Sequence, residues 1–256
     1  MIKLVDLLLE NQQKPKAIFL AGPAGSGKST FVRNYLQGKG LKTINIDDTY
    51  EELLKTAGID KPQAEYDEEE LSKSAKLMGQ ARKDTEAKRK EAMQNAESII
   101  LDGTGAASKP IAKKKKELED LGYDTMMAMV YVSPLTSLQR NKQRGDDGGR
   151  SLRPSIILRT WDNVNKNIKD FKQMFGNDFV ILNSDPEGAQ QDYDQDAVDK
   201  YFATVTYTGK PKSPEEQAKK DKEQRDMITN IKQSLKNKPQ FDDPSTITNK
   251  INAFIN

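Results

Sequence analysis

Gly22-Pro23-Ala24-Gly25-Ser26-Gly27-Lys28-Ser29 matches G-x-x-x-x-G-K-[ST], the pattern of a phosphate-binding loop. Its flanks decide how it is read. Ahead of it runs Lys16-Ala-Ile-Phe-Leu-Ala21, an apolar stretch of strand length. Behind it, Thr30-Phe-Val-Arg-Asn-Tyr-Leu36 carries apolar residues at helical spacing. Strand, glycine-rich turn and helix form the context in which such a loop works. The glycines let successive backbone N–H groups converge on phosphate, and the helix N-terminus adds positive potential. The pattern assigns Gly22, Ala24, Gly25, Ser26, Gly27, Lys28, Ser29 and Thr30 to a nucleotide. Lys28 reaches the β- and γ-phosphates, and Ser29 holds Mg²⁺.

Outward from the loop, further strands are predicted over 42–46, 98–102, 125–132 and 179–183. Helices are predicted between them over 50–57, 67–96, 110–121, 134–142 and 154–175, the last closed by Gly176. This alternation predicts an α/β fold: a three-layer sandwich around a mostly parallel five-stranded sheet. The run 125–132 is apolar throughout, as a strand buried on both faces should be. The helix over 67–96 is nearly all polar and reads as a solvated insertion. Lys113-Lys114-Lys115-Lys116 reads as a solvated helix face, and Trp161 and Phe171 as core.

The expected division is an amphipathic N-terminal helix over 1–15, the α/β domain over 16–206, and an extension over 207–256. The extension begins as a polar linker. It continues as helices over 213–237, with Pro214 in the first turn, and 245–255. Its sharper reading is a module that binds a protein partner.

Composition excludes several chemistries. The 256 residues contain no cysteine and no histidine. Disulfides, thiolate zinc sites, cysteine nucleophiles and histidine acid–base catalysis are therefore ruled out. A general base must be a carboxylate, a lysine or a tyrosine. Basic residues number 41 and acidic ones 39, so the net charge is +2 and does not indicate nucleic-acid binding. No apolar run has the length of a membrane span, and the N-terminus lacks a signal-peptide cleavage site, so a cytoplasmic location is expected.

In an open parallel sheet the ligand crevice lies outside the carboxyl ends of the strands. Asp47 and Asp48 follow the second strand, so a carboxylate there faces the γ-phosphate. Asp47 is assigned to accept the proton of an attacking hydroxyl. Asp48 is assigned to the helix cap and to the substrate side. Asp102 ends the third strand as a Walker-B-like acid, near Mg²⁺ or substrate. Gly103-Thr104-Gly105 then turns the Thr104 hydroxyl toward the crevice. Arg140, Arg144, Arg150 and Arg153 surround the break at Gly145, Gly148 and Gly149. A glycine-hinged loop carrying arginines suits a lid, about 140–154, that closes over a transferring phosphoryl group.

Together, the loop 22–29, Asn45-Ile46-Asp47-Asp48, Ile99-Ile-Leu-Asp-Gly-Thr104 and Gly148-Gly-Arg150-Ser-Leu-Arg-Pro154 resemble zeta-toxin-like and phage polynucleotide-kinase-like P-loop kinases. The resemblance covers about residues 16–183. It implies a sheet order of 2-3-1-4-5, ATP with Mg²⁺ at Ser29 and Asp102, and Asp47 as catalytic acid–base. It also implies Lys28 and the lid residues Arg140, Arg144 and Arg150 on the phosphates, and Asp48, Asp102 and Thr104 toward the acceptor. A phage-encoded chain would act in the host cytoplasm. The polynucleotide kinases carry a substrate-binding arginine soon after the catalytic Asp; here Thr49-Tyr-Glu-Glu52 has none.

The expected activity is transfer of a γ-phosphate from ATP to a hydroxyl. The acceptor would be a nucleic-acid end or modified base, a nucleotide sugar, or a small metabolite. Two alternatives stay open: a nucleotide hydrolase, and an interaction protein that retains the fold. Against a GTPase, Asn141-Lys-Gln-Arg and Asn165-Lys-Asn-Ile both lack the Asp of the guanine signature. Against a motor ATPase, Gly103 rather than Glu follows Asp102.

Overall fold

The computed structural model describes residues 14–59, 66–149, 151–186 and 213–256. Five strands form one sheet: β1 (Lys16–Ala21), β2 (Lys42–Asn45), β3 (Ile99–Asp102), β4 (Asp124–Tyr131) and β5 (Phe179–Asn183). Their order is β2-β3-β1-β4-β5, and every neighbouring pair is parallel. This is the order the family resemblance implies. β1 lies at the centre, with β3 and β4 on its two sides, so the loop after β1 opens at the topological switch point.

Alternation along the strands sends side chains to two faces. Ile18, Leu20, Met126, Ala128 and Val130 pack on one face with Phe31 and Leu36. Ala17, Phe19, Met127, Met129 and Tyr131 pack on the other with Leu118, Trp161 and Phe171. β4 is buried on both faces from Thr125 onward, which explains its unbroken apolar sequence.

The helix after the loop starts as α1 (Lys28–Phe31) and widens into a π-helical turn over Val32–Leu36, closed by Gln37 N–H on the Val32 carbonyl. Next come α2 (Ile46–Thr56), α3 (Glu68–Gln94), α4 (Ser108–Asp120) and α5 (Pro134–Asp146). Asp67 and Glu70 form a capping box at the start of α3. Arg89, almost fully buried, pairs with Glu86 on its own helix and Glu117 on α4, so the polar insertion is tied to the domain.

Two sequence expectations change here. α5 runs through Gly145 to Asp146, and the chain turns only at 147–149. The helix expected over 154–175 is two helices, α6 (Pro154–Lys166) and α7 (Ile168–Phe175). Asn167 separates them, and its side-chain amide donates to the Gly105 carbonyl at 3.0 Å.

The extension is integral to the packing. In α8 (Pro214–Lys236) Ile231 is buried against the Trp161 face, and in α9 (Pro244–Ile255) Ile247 and Ile251 are buried against the Ile18 face. Between them Asp242 closes the exposed edge of β5: its N–H donates to the Ile181 carbonyl, and its carboxylate accepts from the Ile181 N–H. The N-terminal helix expected over 1–15 falls, for residues 1–13, outside the described residues. So does the linker segment 207–212. Among the described residues no helix is long and apolar enough to cross a membrane.

Candidate active site

The loop is held by its carbonyls. The Lys28 ammonium donates to the Gly22 carbonyl (2.9 Å), and the Ser26 N–H donates to Pro23 (3.1 Å). Ser137 Oγ donates to Ala24 (2.5 Å), Arg140 Nη1 to Gly25 (3.1 Å) and Ser184 Oγ to Ser26 (2.6 Å). The Gly27 carbonyl accepts from the Phe31 N–H in the first turn of α1. Each carbonyl of residues 22–27 is thereby occupied. Among the described residues, the amides of Gly25, Gly27 and Lys28 have no acceptor. Such a loop presents donors to an anion. Gly25 has φ +74°, and a Cβ there would lie 2.8 Å from the Ser137 carbonyl; at Gly22 it would lie 2.6 Å from that of Val130. Only glycine lets α5 and β4 approach this closely. Ser29 and Thr30 are exposed at the start of α1, and Thr30 accepts from Arg33.

Ser137 and Ser184 carry no signal in the sequence. Their role exists only because α5 and the end of β5 converge on the loop. Arg140, expected over the transferring phosphate, braces the loop in this structure. Its second nitrogen donates to the Ser184 carbonyl (2.7 Å), and the first also reaches Ser184 Oγ (3.1 Å). Arg144 lies exposed on the last turn of α5. Arg150 lies outside the described residues. Buried Asn141 ties α5 to the start of α6: its side chain exchanges two hydrogen bonds with the Leu152 backbone (2.8 and 2.9 Å).

Three carboxylates gather beside the loop. β2 ends one residue earlier than expected, and α2 begins at Ile46, so Asp47 and Asp48 occupy the first helical turn. The assignment of Asp48 as cap is corrected: the N-cap is Asn45, whose Oδ1 accepts from the Asp47 N–H at 2.8 Å. The Asn45 amide also donates to Asp48 Oδ1 and to Asp102 Oδ2, each at 3.2 Å. Burial raises the Asp102 carboxyl above the usual range; Lys28 opposes this, and Asp47 and Asp48 add to it. Burial also raises Asp48, with Asp47 and Glu52 adding and Lys88 opposing. Asp47 is exposed. Asp47, Asp48 and Lys28 all lie close enough to Asp102 to act on its carboxyl, while Asn45, a residue type found at any helix start, carried no signal in the sequence.

Thr104 is exposed, and its carbonyl accepts from the Gly22 N–H (2.9 Å), locking the turn after β3 to the loop. A 200 Å³ cleft opens there, lined by Phe19, Leu101, Asp102, Thr104, Ile111 and Lys114 among others. A larger cleft of 490 Å³ lies at the opposite end of the sheet, around Asp124 and Phe254.

The donors suit Mg²⁺ with a nucleotide. Asp102 Oδ1 is buried without a hydrogen-bond partner, and the Ser29 hydroxyl is open. Among the described residues no cluster of three or more acidic side chains forms a metal cage. One hydroxyl and one carboxylate, completed by phosphate oxygens and water, is the sparse oxygen set Mg²⁺ takes at nucleotides.

A parallel sheet with its switch point at a G-x-x-x-x-G-K-S loop, flanked by helices, defines a P-loop protein of the kinase architecture. The family model described as zeta toxin matches residues 5–197. The chain therefore belongs to the zeta toxin family. Among solved structures it is similar to the AvrRxo1-ORF1:AvrRxo1-ORF2 complex with sulphate ions (13% identity, TM-score 0.51, 97% of this chain and 77% of that one). It is also similar to that complex with ATP (11%, 0.50, 97% and 82%). A third likeness is to the PezAT chromosomal toxin-antitoxin system of Streptococcus pneumoniae (16%, 0.45, 89% and 88%). At these identities the likeness is one of fold. No curated protein matches the sequence significantly.

Proposed function

We propose that the protein is an ATP- and Mg²⁺-dependent phosphotransferase that moves the γ-phosphate to a hydroxyl acceptor. The observation that carries this reading is the loop itself, with the carbonyls of Ala24, Gly25 and Ser26 held from outside, the amides of Gly25, Gly27 and Lys28 open and Lys28 at its end, all beside Asp47, Asp48 and Asp102. Family membership supports the kinase class, and the structurally similar AvrRxo1-ORF1:-ORF2 complex with ATP supports the nucleotide.

In this reading the loop amides and Lys28 bind the β- and γ-phosphates and withdraw charge from them. Ser29 and Asp102 would hold Mg²⁺, which when bound neutralises charge on the phosphate oxygens. The acceptor lies in the cleft by Thr104 and Lys114. Its O–H proton passes to the Asp47 carboxylate. Its oxygen forms the new bond to the γ-phosphorus, the bond from that phosphorus to the β–γ bridging oxygen breaks, and ADP leaves. One or two of Arg140, Arg144 and Arg150 close over the moving group. A partner protein, suggested by the complexes among the structural relatives, would meet the polar outer face of α8, because its apolar side is packed on the domain.

The test is γ-labelled ATP with Mg²⁺ against a panel of nucleic-acid ends, nucleotide sugars and small alcohols. Asp47→Asn should bind ATP normally by calorimetry but lose roughly 10²–10⁴-fold in transfer. Transfer near the wild-type rate would reassign the base. Lys28→Ala should weaken ATP binding by more than about tenfold, since a charge-assisted contact contributes about 1.5–3 kcal/mol. If neither ATP nor GTP binds the wild-type protein at millimolar concentration, the reading falls. Phosphate release without any acceptor dependence would favour a hydrolase.

A further inference from the structure

We infer that Asn45 is a positioning residue for phosphoryl transfer: one side-chain amide fixes the helix that carries Asp47 and the carboxylates of Asp48 and Asp102 in a single arrangement. The inference rests on the phosphotransferase reading above.

Asn45 is the last residue of β2, in parallel register with Asp102, the last residue of β3. Paired residues on neighbouring strands project to the same face, so the two side chains must meet. Asn45 is extended (φ −130°, ψ 128°), the conformation an N-cap requires. Its Oδ1 accepts from the Asp47 N–H, and its amide donates to both neighbouring carboxylates. Serine or aspartate would cap the helix equally well. Neither can cap and at the same time donate to two carboxylates; that needs an amide. The cations facing this group are Lys28, toward Asp102, and Lys88, toward Asp48. Lys88 also donates to Thr49 at 3.2 Å. Asn45 is the neutral donor that lets the acids stand together, and it sets where the first turn of α2 begins. A displacement of about 1 Å in a reacting group can cost roughly 100-fold in rate.

The experiment separates capping from bridging. Asn45→Ser keeps a cap oxygen and loses the amide donors; Asn45→Ala loses both. For each variant and the wild type, thermal midpoint, ATP affinity with Mg²⁺, and phosphate release from ATP with water as acceptor are measured. Asn45→Ser should keep the wild-type midpoint and ATP affinity while turnover falls roughly 10- to 100-fold. Wild-type turnover in Asn45→Ser, or a loss of ATP affinity matching the loss of turnover, would overturn the inference. A second measurement needs no turnover. The Asn45 side-chain amide resonances should move in both Asp48→Ala and Asp102→Ala; resonances unmoved in both would also overturn it. A wild-type protein that binds no ATP would instead sink the phosphotransferase reading, while the amide resonances would still report the bridge.

Discussion

Asp162 on α6 is 4% exposed, and its Oδ1 has no hydrogen-bond partner. Its other oxygen accepts from Lys166 at 2.6 Å. Burial pushes its carboxyl above the usual range, and Lys166 only partly offsets this. The folded protein then holds a proton that the unfolded chain releases first. Stability therefore falls as pH rises from about 4 through the raised value. Asp162→Asn should match the wild type at low pH and exceed its melting midpoint by a few degrees near neutrality. Equal midpoints at both pH values would show that Lys166 compensates in full. The same contrast between charge and neighbourhood explains what could be read in single residues. Gly22, Lys28 and Asp102 announce themselves by pattern and by position at strand ends. Asn45, Ser137 and Ser184 act through partners 57, 113 and 158 residues away, and no local pattern encodes those.

Among the elements, α9 is the clearest case of a segment that looks dispensable and is not. Ile247 and Ile251 are buried on the sheet face that carries Ile18 and Leu20. Ile251→Ala should cost about 2–5 kcal/mol, read as a lowered denaturant midpoint at unchanged slope. A loss below about 0.5 kcal/mol, the range of surface substitutions, would mean the helix only rests on the domain. The helix itself was legible from its apolar spacing. Its docking was not, because a short amphipathic helix does not say which face it will cover. The division of 154–175 was hidden for a related reason: Asn167 is an ordinary helix residue until its amide meets the Gly105 carbonyl. α5 outlasted its first glycine because Gly145 only weakens a helix, whereas Gly148, at φ +79°, turns the chain.

For the molecule as a whole, strand–helix alternation made the parallel sheet predictable, while the strand order came from family resemblance. Pairing partners lie far apart in the chain, and periodicity does not name them. If the loop binds nucleotide only in the folded state, ATP with Mg²⁺ at about 100 times Kd should add about 2.7 kcal/mol to stability, and Lys28→Ala should abolish most of that gain. An equal gain in the variant would place the nucleotide elsewhere. The loop's bracing has a kinetic counterpart. Ser137, Arg140 and Ser184 fix its shape as the domain forms, so no slow rearrangement need follow encounter. Stopped-flow mixing with a fluorescent ATP analogue should give one exponential whose rate climbs linearly with ligand, without a plateau. In Ser184→Ala the slackened loop should sample several shapes, and a saturating second phase should emerge.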